Sequence, residues 1–347
     1  MNKKYEFSYK NYQFYIQNRD IYEELYTLRD LNIFYSLINL DNRFKNTIVE
    51  YEKRIKTIVN EVTLDCSLGS GLCGLGYMYH FMSITNSKYK NEKSKIDTLL
   101  KKLVVTFIDS NIPIIDSTGN FNILYDYFKG MSGIFAYVIQ TSNDLNVQRM
   151  IIDYLIYEIS QIDYNEIHAN LGIAHGLSCL LNILRLDNNY CYSKNDINII
   201  KKLMLIIEYN LRNNLKKSKR ISLSWGNGDF GIVFSILSIS KKMNIEISTD
   251  LYELIKFIIN KGDRIIYEKL NPCNGVFGYK RMLQIITFDD KEIWLHDNQD
   301  IAIIGDVIVH SNLKGRDISI IDGLLSKILI NNICKMHLDE YYKLFML

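Results

Sequence analysis

The sequence predicts an all-α protein, an α/α toroid in which a ring of inner helices sits inside a ring of outer ones. Three observations carry this prediction. A glycine pattern recurs along the chain, apolar residues between the recurrences are spaced as in helices, and there are only 2 Pro in 347 residues. Scarce proline suits long helices joined by tight turns.

The elements follow in order. Residues 1–60 contain a helical stretch, Ile21 to Leu40, and form a divergent first repeat. From residue 65 to 330, six segments share a first Gly, two residues, a small residue and then an apolar run. They are Gly71-Leu72-Cys73-Gly74, Gly130-Met131-Ser132-Gly133, Gly176-Leu177-Ser178-Cys179, Gly228-Asp229-Phe230-Gly231, Gly275-Val276-Phe277-Gly278 and Gly323-Leu324-Leu325-Ser326. Successive first glycines are 59, 46, 52, 47 and 48 residues apart, and ten of the 18 glycines fall in these segments, so chance does not explain them. A period near 50 residues accommodates two helices of about 20 residues and their turns. Between the motifs, Ile151 to Ser160 and Lys201 to Leu211 place apolar residues three and four apart. Gly at the start of an inner helix permits close backbone approach. Small residues three apart share a helix face, so inner helices can pack closely. Stacked helix pairs either remain an open solenoid or close into a ring. The apolar tail Tyr341-Tyr342-Lys343-Leu344-Phe345-Met346-Leu347 is no polar cap, which favours closure of one domain over residues 1–347.

Composition excludes several classes. Hydrophobic residues at 48% and charged residues at 23% are globular values, not those of a disordered chain. A formal charge of +2, with Lys216-Lys217-Ser218-Lys219-Arg220 as the longest basic run, argues against nucleic acid as a partner. No window is long and apolar enough for direct membrane insertion, and the N-terminus lacks the apolar core of a signal peptide. The six Cys, at 66, 73, 179, 191, 273 and 334, are widely spaced and read as reduced thiols of a cytoplasmic protein.

If each motif opens an inner helix, the helix N-termini converge on one mouth of the ring. The residues before the first glycines are Ser70, Lys129, His175, Asn227, Asn274 and Asp322, all polar or charged. Helix N-termini add partial positive charge there. Helix capping accounts for Ser70, Asn227, Asn274 and Asp322. It accounts poorly for Lys129 and His175.

At these residues the sequence resembles the lanthionine synthetase C family, the cyclases of lanthipeptide (lantibiotic) biosynthesis. Tyr125-Asp126-Tyr127-Phe128-Lys129-Gly130-Met131-Ser132-Gly133-Ile134 is similar to the family's Y-D-x-x-x-G-x-S-G-I segment. Asn170-Leu171-Gly172-Ile173-Ala174-His175-Gly176 is similar to its N-L-G-x-A-H-G segment. Ser224-Trp225-Gly226-Asn227-Gly228 resembles its S-W-C-Y-G, Cys273-Asn274-Gly275 its C-H-G, and Asp322-Gly323-Leu324 its D-G-L. The resemblance implies a seven-repeat toroid and a mouth in which two Cys and one His hold zinc. The zinc activates a peptide cysteine, whose thiolate adds to a dehydroalanine or dehydrobutyrine of the same peptide and closes a thioether. It further implies His175 and Asp126 as the acid–base pair, with Trp225, Asn227, Asn274, Lys129 and Asp322 lining the peptide site. A ribosomal precursor peptide is the implied substrate, with a dehydratase and an exporter as implied partners.

The sequence departs from the family at the metal. One Cys ligand falls on Gly226 and the His ligand on Asn274, which leaves Cys273 alone. A zinc site needs at least three protein ligands, and the spacing of Cys66 and His296 gives neither as a substitute. The expectation is therefore no metal cofactor. Three functional readings stand open: a cyclase that works without zinc, a non-catalytic relative that binds precursor or scaffolds a biosynthetic complex, and a carbohydrate-active toroid using rim carboxylates such as Asp126, Asp229 and Asp322.

Overall fold

The computed structural model describes residues 21–38, 45–69, 71–162, 170–217, 220–262, 273, 276–286 and 342–346. Helices α1 (Ile21–Ile38) and α2 (Lys45–Glu61) form the first pair. Then come α3 (Leu72–Thr85) with α4 (Lys90–Asp109), and α5 (Met131–Thr141) with α6 (Leu145–Ser160). Next are α7 (Ser178–Leu186) with α8 (Lys194–Lys217), and α9 (Asp229–Met243) with α10 (Thr249–Lys261). Helix α11 (Val276–Ile286) opens the next repeat. No named strand occurs among the described residues, and a single bridge joins Ile115 to Phe121. The expected helices at 21–40, 151–160 and 201–211 are α1, α6 and α8. The motif at Gly323 and the first 20 residues lie outside the described residues.

Odd-numbered helices form one layer and even-numbered helices another. Helices α1, α3, α5, α7, α9 and α11 pack each on the next, and α1, α3, α5 and α9 each pack on the helix that follows, while α8 packs on α6 and α9. Composition sorts the layers. Helices α5 and α9 bury nearly every side chain, as helices apolar all round must, whereas α4 and α8 bury one stripe and leave a charged face in water.

The two layers also start their helices differently. Outer helices α6, α8 and α10 use side-chain caps: Asp144 accepts from Val147 N at 3.3 Å, Ser248 from Leu251 N at 3.1 Å, and Ser193 and Asp196 cap reciprocally. Inner helices use glycine and the carbonyls of their own loops. At α3, Leu72 N donates to Asp65 O at 2.9 Å and Cys73 N to Cys66 O at 3.4 Å. At α7, Leu177 N donates to Asn170 O at 3.0 Å, and at α9 Phe230 N donates to Ser222 O at 3.1 Å. Gly71, Gly130 and Gly228 are themselves the N-cap residues, and none makes a side-chain cap. The capping role expected for Asn227 is thus corrected: it lies one residue outside the helix, because loop carbonyls already satisfy the first N–H groups. Ser70, Asn274 and Asp322 lie outside the described residues.

This capping explains the glycine spacing. A Cβ on Gly130 would lie 2.5 Å from Leu124 O, one on Gly176 2.1 Å from Asn170 O, and one on Gly228 2.3 Å from Ser224 O. The second small position is equally closed, since a Cβ on Gly133 would meet Tyr127 O at 2.2 Å and one on Gly231 Trp225 O at 2.2 Å. Cys179 holds the same place in the fourth repeat because that helix starts later, at Ser178, after a tighter turn in which Cys179 N donates to Gly176 O at 3.0 Å.

Segment 342–346 packs against the inner layer. Tyr77 OH of α3 donates to Lys343 O at 3.5 Å, and Tyr127 OH donates to Leu344 O at 2.6 Å. Arg185 of α7 donates to Met346 O, and Arg281 of α11 sits over the Tyr342 ring at 5.1 Å. The apolar tail that pointed to closure therefore lies inside the protein, joined to four repeats.

The connection from α4 to α5 is a small built loop. Asp116 Oδ1 accepts from Thr118 N at 2.8 Å, Thr118 Oγ1 at 2.6 Å and Asn120 N at 3.0 Å. Tyr125 OH bonds to Ile112 O and to Tyr154 OH, which ties the loop to α6. Glu158 of α6 is buried beside it and accepts the Ile114 amide. Burial holds its carboxyl above the usual glutamate range.

Two outcomes follow from these contacts. Gly133→Ala is expected to cost about 1–3 kcal/mol, the usual range for overpacking, in urea unfolding followed by circular dichroism; an unchanged midpoint would show that the carbonyl yields. Glu158 keeps its proton more readily when folded than when unfolded, so its favourable contribution is complete at low pH and fades as pH rises through the folded-state value. Glu158→Gln preserves the protonated shape, so its stability relative to the parent should grow from pH 4 to pH 7. A constant difference over that range would contradict the assignment.

Candidate active site

The loops before the inner helices are bonded to one another through their backbones. Gly69 N donates to Phe128 O at 2.8 Å, Tyr127 N to Ala174 O at 3.0 Å and Ala174 N to Gly226 O at 2.9 Å. Trp225 N then donates to Cys273 O at 3.0 Å, and Gly226 N to the same oxygen at 3.3 Å. Five successive repeats thus gather their helix N-termini at one rim, as the sequence required for a mouth.

Two of the predicted side chains meet there. Asp126 follows the short 3-10 turn Ile123–Tyr125, and His175 lies in the turn before α7. His175 Nδ1 hydrogen-bonds to Asp126 Oδ2. Asp126 Oδ1 accepts from Phe128 N and Lys129 N, both at 2.8 Å. With Oδ1 taken by two backbone N–H groups, an ionised Asp126 would accept at Oδ2 from Nδ1–H, the tautomer that puts the imidazole lone pair on Nε2. The Asp126 side chain is 8% exposed and that of His175 38%, so the carboxylate is buried behind a ring whose outer edge meets solvent. Phe128 packs on the His175 ring with centroids 6.1 Å apart.

The other predicted residues are placed differently. Lys129 and Asn227 are exposed at the rim. Lys129 serves Asp126 through its backbone N–H. Trp225 is fully buried, its ring packed against Tyr127 at 5.7 Å, Phe128 at 6.2 Å and Phe345 at 5.6 Å. Its side chain stands behind the dyad and meets no solvent, so direct substrate contact is not what this geometry offers. Asn274 and Asp322 lie outside the described residues. Phe128 and Phe345 were not singled out from sequence; an aromatic beside a catalytic-type motif was the available signal for Phe128. Phe345 had only the apolar tail.

The residues present do not fit a zinc ion. A Cβ on Gly226 would sit 3.4 Å from Cys273 Sγ and 3.5 Å from the Ala174 Cβ, so the position without a side chain directly faces the one remaining thiol. The third position carries the amide of Asn274. Among the described residues no group of three or more His, Cys, Asp or Glu is placed to hold a metal. The remaining described cysteines form no disulfide, and burial pushes the thiols of Cys73 and Cys179 far up, so they are inert core groups. Cys334 lies outside the described residues. The carboxylates of the carbohydrate reading are also engaged: Asp126 with His175, and Asp229 with Ser222 N at 2.8 Å.

Among the described residues, a helical double layer whose inner helices start at one rim is the architecture of the α/α toroids. Nisin cyclase, a solved structure, matches with a TM-score of 0.63 over 96% of this chain and 96% of that one, at 18% identity, which establishes the toroid fold. The sequence profile described as lanthionine synthetase C-like protein matches residues 33–299. The chain belongs to the lanthionine synthetase C-like family. No curated protein sequence matches it. No described helix is long and apolar enough to cross a membrane.

Proposed function

We propose that this protein promotes thioether ring closure in a dehydrated precursor peptide, with His175 and Asp126 as its acid–base pair and without zinc. The observation that carries the reading is the hydrogen bond between His175 Nδ1 and Asp126 Oδ2, which joins a buried carboxylate to a partly exposed imidazole at the rim.

A peptide cysteine thiol has an ordinary pKa of about 8.5, so only a few per cent is thiolate at neutral pH. A base in contact with the thiol supplies the missing activation. His175 Nε2 takes the Sγ proton, and the thiolate attacks the β-carbon of a dehydroalanine or dehydrobutyrine. The C=C electron pair moves onto the adjacent carbonyl as an enolate. The imidazolium then returns the proton to the α-carbon, so the ring forms with no atom lost. Asp126 stabilises the imidazolium and fixes its orientation, as the carboxylate does in a Ser-His-Asp site. The helix N-termini gathered at the rim favour the transient negative charge on sulfur and oxygen. The substrate presupposes a dehydratase acting earlier on serine or threonine.

The second reading is a family member that binds precursor without turnover. It is favoured by Gly226 and Asn274, which remove two metal ligands together. The two readings separate in one assay. Dehydrated peptide is incubated with protein, and remaining thiols are counted by alkylation and mass spectrometry, since ring closure leaves the mass unchanged. The cyclase reading expects accelerated thiol loss, reduced by about 10²–10⁴-fold in His175→Ala. Peptide binding with only the uncatalysed rate would establish the scaffold. A chelator should leave the rate unchanged, and elemental mass spectrometry should find well below one zinc per chain; stoichiometric zinc would overturn the metal-free mechanism.

A further inference from the structure

We propose that Phe345 is a positioning residue for His175, acting through Trp225 and Phe128. The proposal rests on the reading of His175 as the acid–base group. The Phe345 ring meets Trp225 nearly edge-on, with centroids 5.6 Å apart and planes at 89°. Trp225 meets Phe128 at 6.2 Å and 73°, and Phe128 meets His175 at 6.1 Å. All three spacings lie in the range of attractive aromatic pairs. Phe345 and Trp225 are fully buried, so the first link of this chain is shielded from water.

Two features make the chain of rings directive rather than mere filling. Trp225 Nε1 is buried with no hydrogen-bond partner among the described residues, so packing, with Tyr127, Phe128 and Phe345 as its ring neighbours, orients the indole. Phe128 is coupled to the dyad twice, since its ring packs on His175 while its amide donates to Asp126 Oδ1 at 2.8 Å. The same tail segment holds the neighbouring residue as well, through the 2.6 Å bond from Tyr127 OH to Leu344 O. A rotation of the indole therefore reaches the imidazole through one intervening ring, and misplacement of about 1 Å at a catalytic group is enough to cost about 10²-fold in rate.

The test uses the full chain. Phe345→Leu keeps apolar volume and removes the ring, and Met346→Ala is the matched control, because Met346 is an equally buried tail residue outside the ring chain. The six histidines allow the His175 imidazole signal to be assigned by its absence in His175→Ala. Phe345→Leu should shift the His175 resonance and its titration midpoint, and lower kcat by at least about 10-fold with KM within about twofold. Met346→Ala should lose comparable thermal stability while keeping both. A His175 signal in Phe345→Leu that superposes on the parent's, or equal effects of the two variants, would overturn the proposal. Should Phe345→Leu fail to fold, Trp225→Phe breaks the same chain one link further on and is read by the same signal. If His175→Ala proves fully active, the catalytic reading falls, while the resonance still decides whether the rings are coupled.

Discussion

The structure depends on backbone carbonyls that pass within contact distance of glycine. In each inner repeat with a described loop, an oxygen occupies the space of a missing Cβ and, in several, a loop carbonyl caps the first helical N–H groups. A side-chain cap would satisfy the same donors, but it would hold the loop away from the helix. Glycine instead brings the loop onto the helix start, where its remaining N–H and C=O groups reach the loop of the next repeat. The relay from Gly69 through Phe128, Ala174 and Gly226 to Cys273 is the result, and it sets the register of the mouth.

That register accounts for what survives at the site and what does not. Asp126 and His175 come from different repeats, 49 residues apart, and meet because Tyr127 N is bonded to Ala174 O, the residues next to each. The same relay carries Gly226 past Cys273. There the backbone brings the side-chain-free position to contact distance of the Cys273 thiol. The His175–Asp126 pair and the Gly226–Cys273 approach are set by different loops of one framework.

Much of this was legible in the sequence. The recurring glycines gave the repeat, its length gave helix pairs, and N-L-G-x-A-H-G with Y-D-x-x-x-G placed His175 and Asp126 on adjacent loops. The details that were not legible depend on contacts between distant segments. Asn227 reads as a helix cap because its type caps helices, and nothing local reveals that Ser222 O already does that work. Trp225 reads as a ligand-facing aromatic because it sits in a mouth motif. Its burial depends on Phe345, 120 residues away. Lys129 reads as a rim charge, yet what it gives the dyad is an amide that every residue but proline possesses.

The long separation between the tail and its partners has a consequence for how the protein is made. Residues 21–286 supply the eleven described α-helices and the His175–Asp126 pair, and they emerge from the ribosome before residues 342–346. Until that segment arrives, Trp225 lacks one of its ring neighbours and Tyr127 OH lacks its acceptor. Contacts spanning 217 and 266 residues, from Tyr127 and Tyr77 to the tail, are the kind that form late, because chain entropy is spent before they return anything. Synthesis therefore orders assembly: the described helices can gather vectorially, repeat upon repeat, while the packing of Trp225 and Tyr127 is completed only when residues 342–346 arrive.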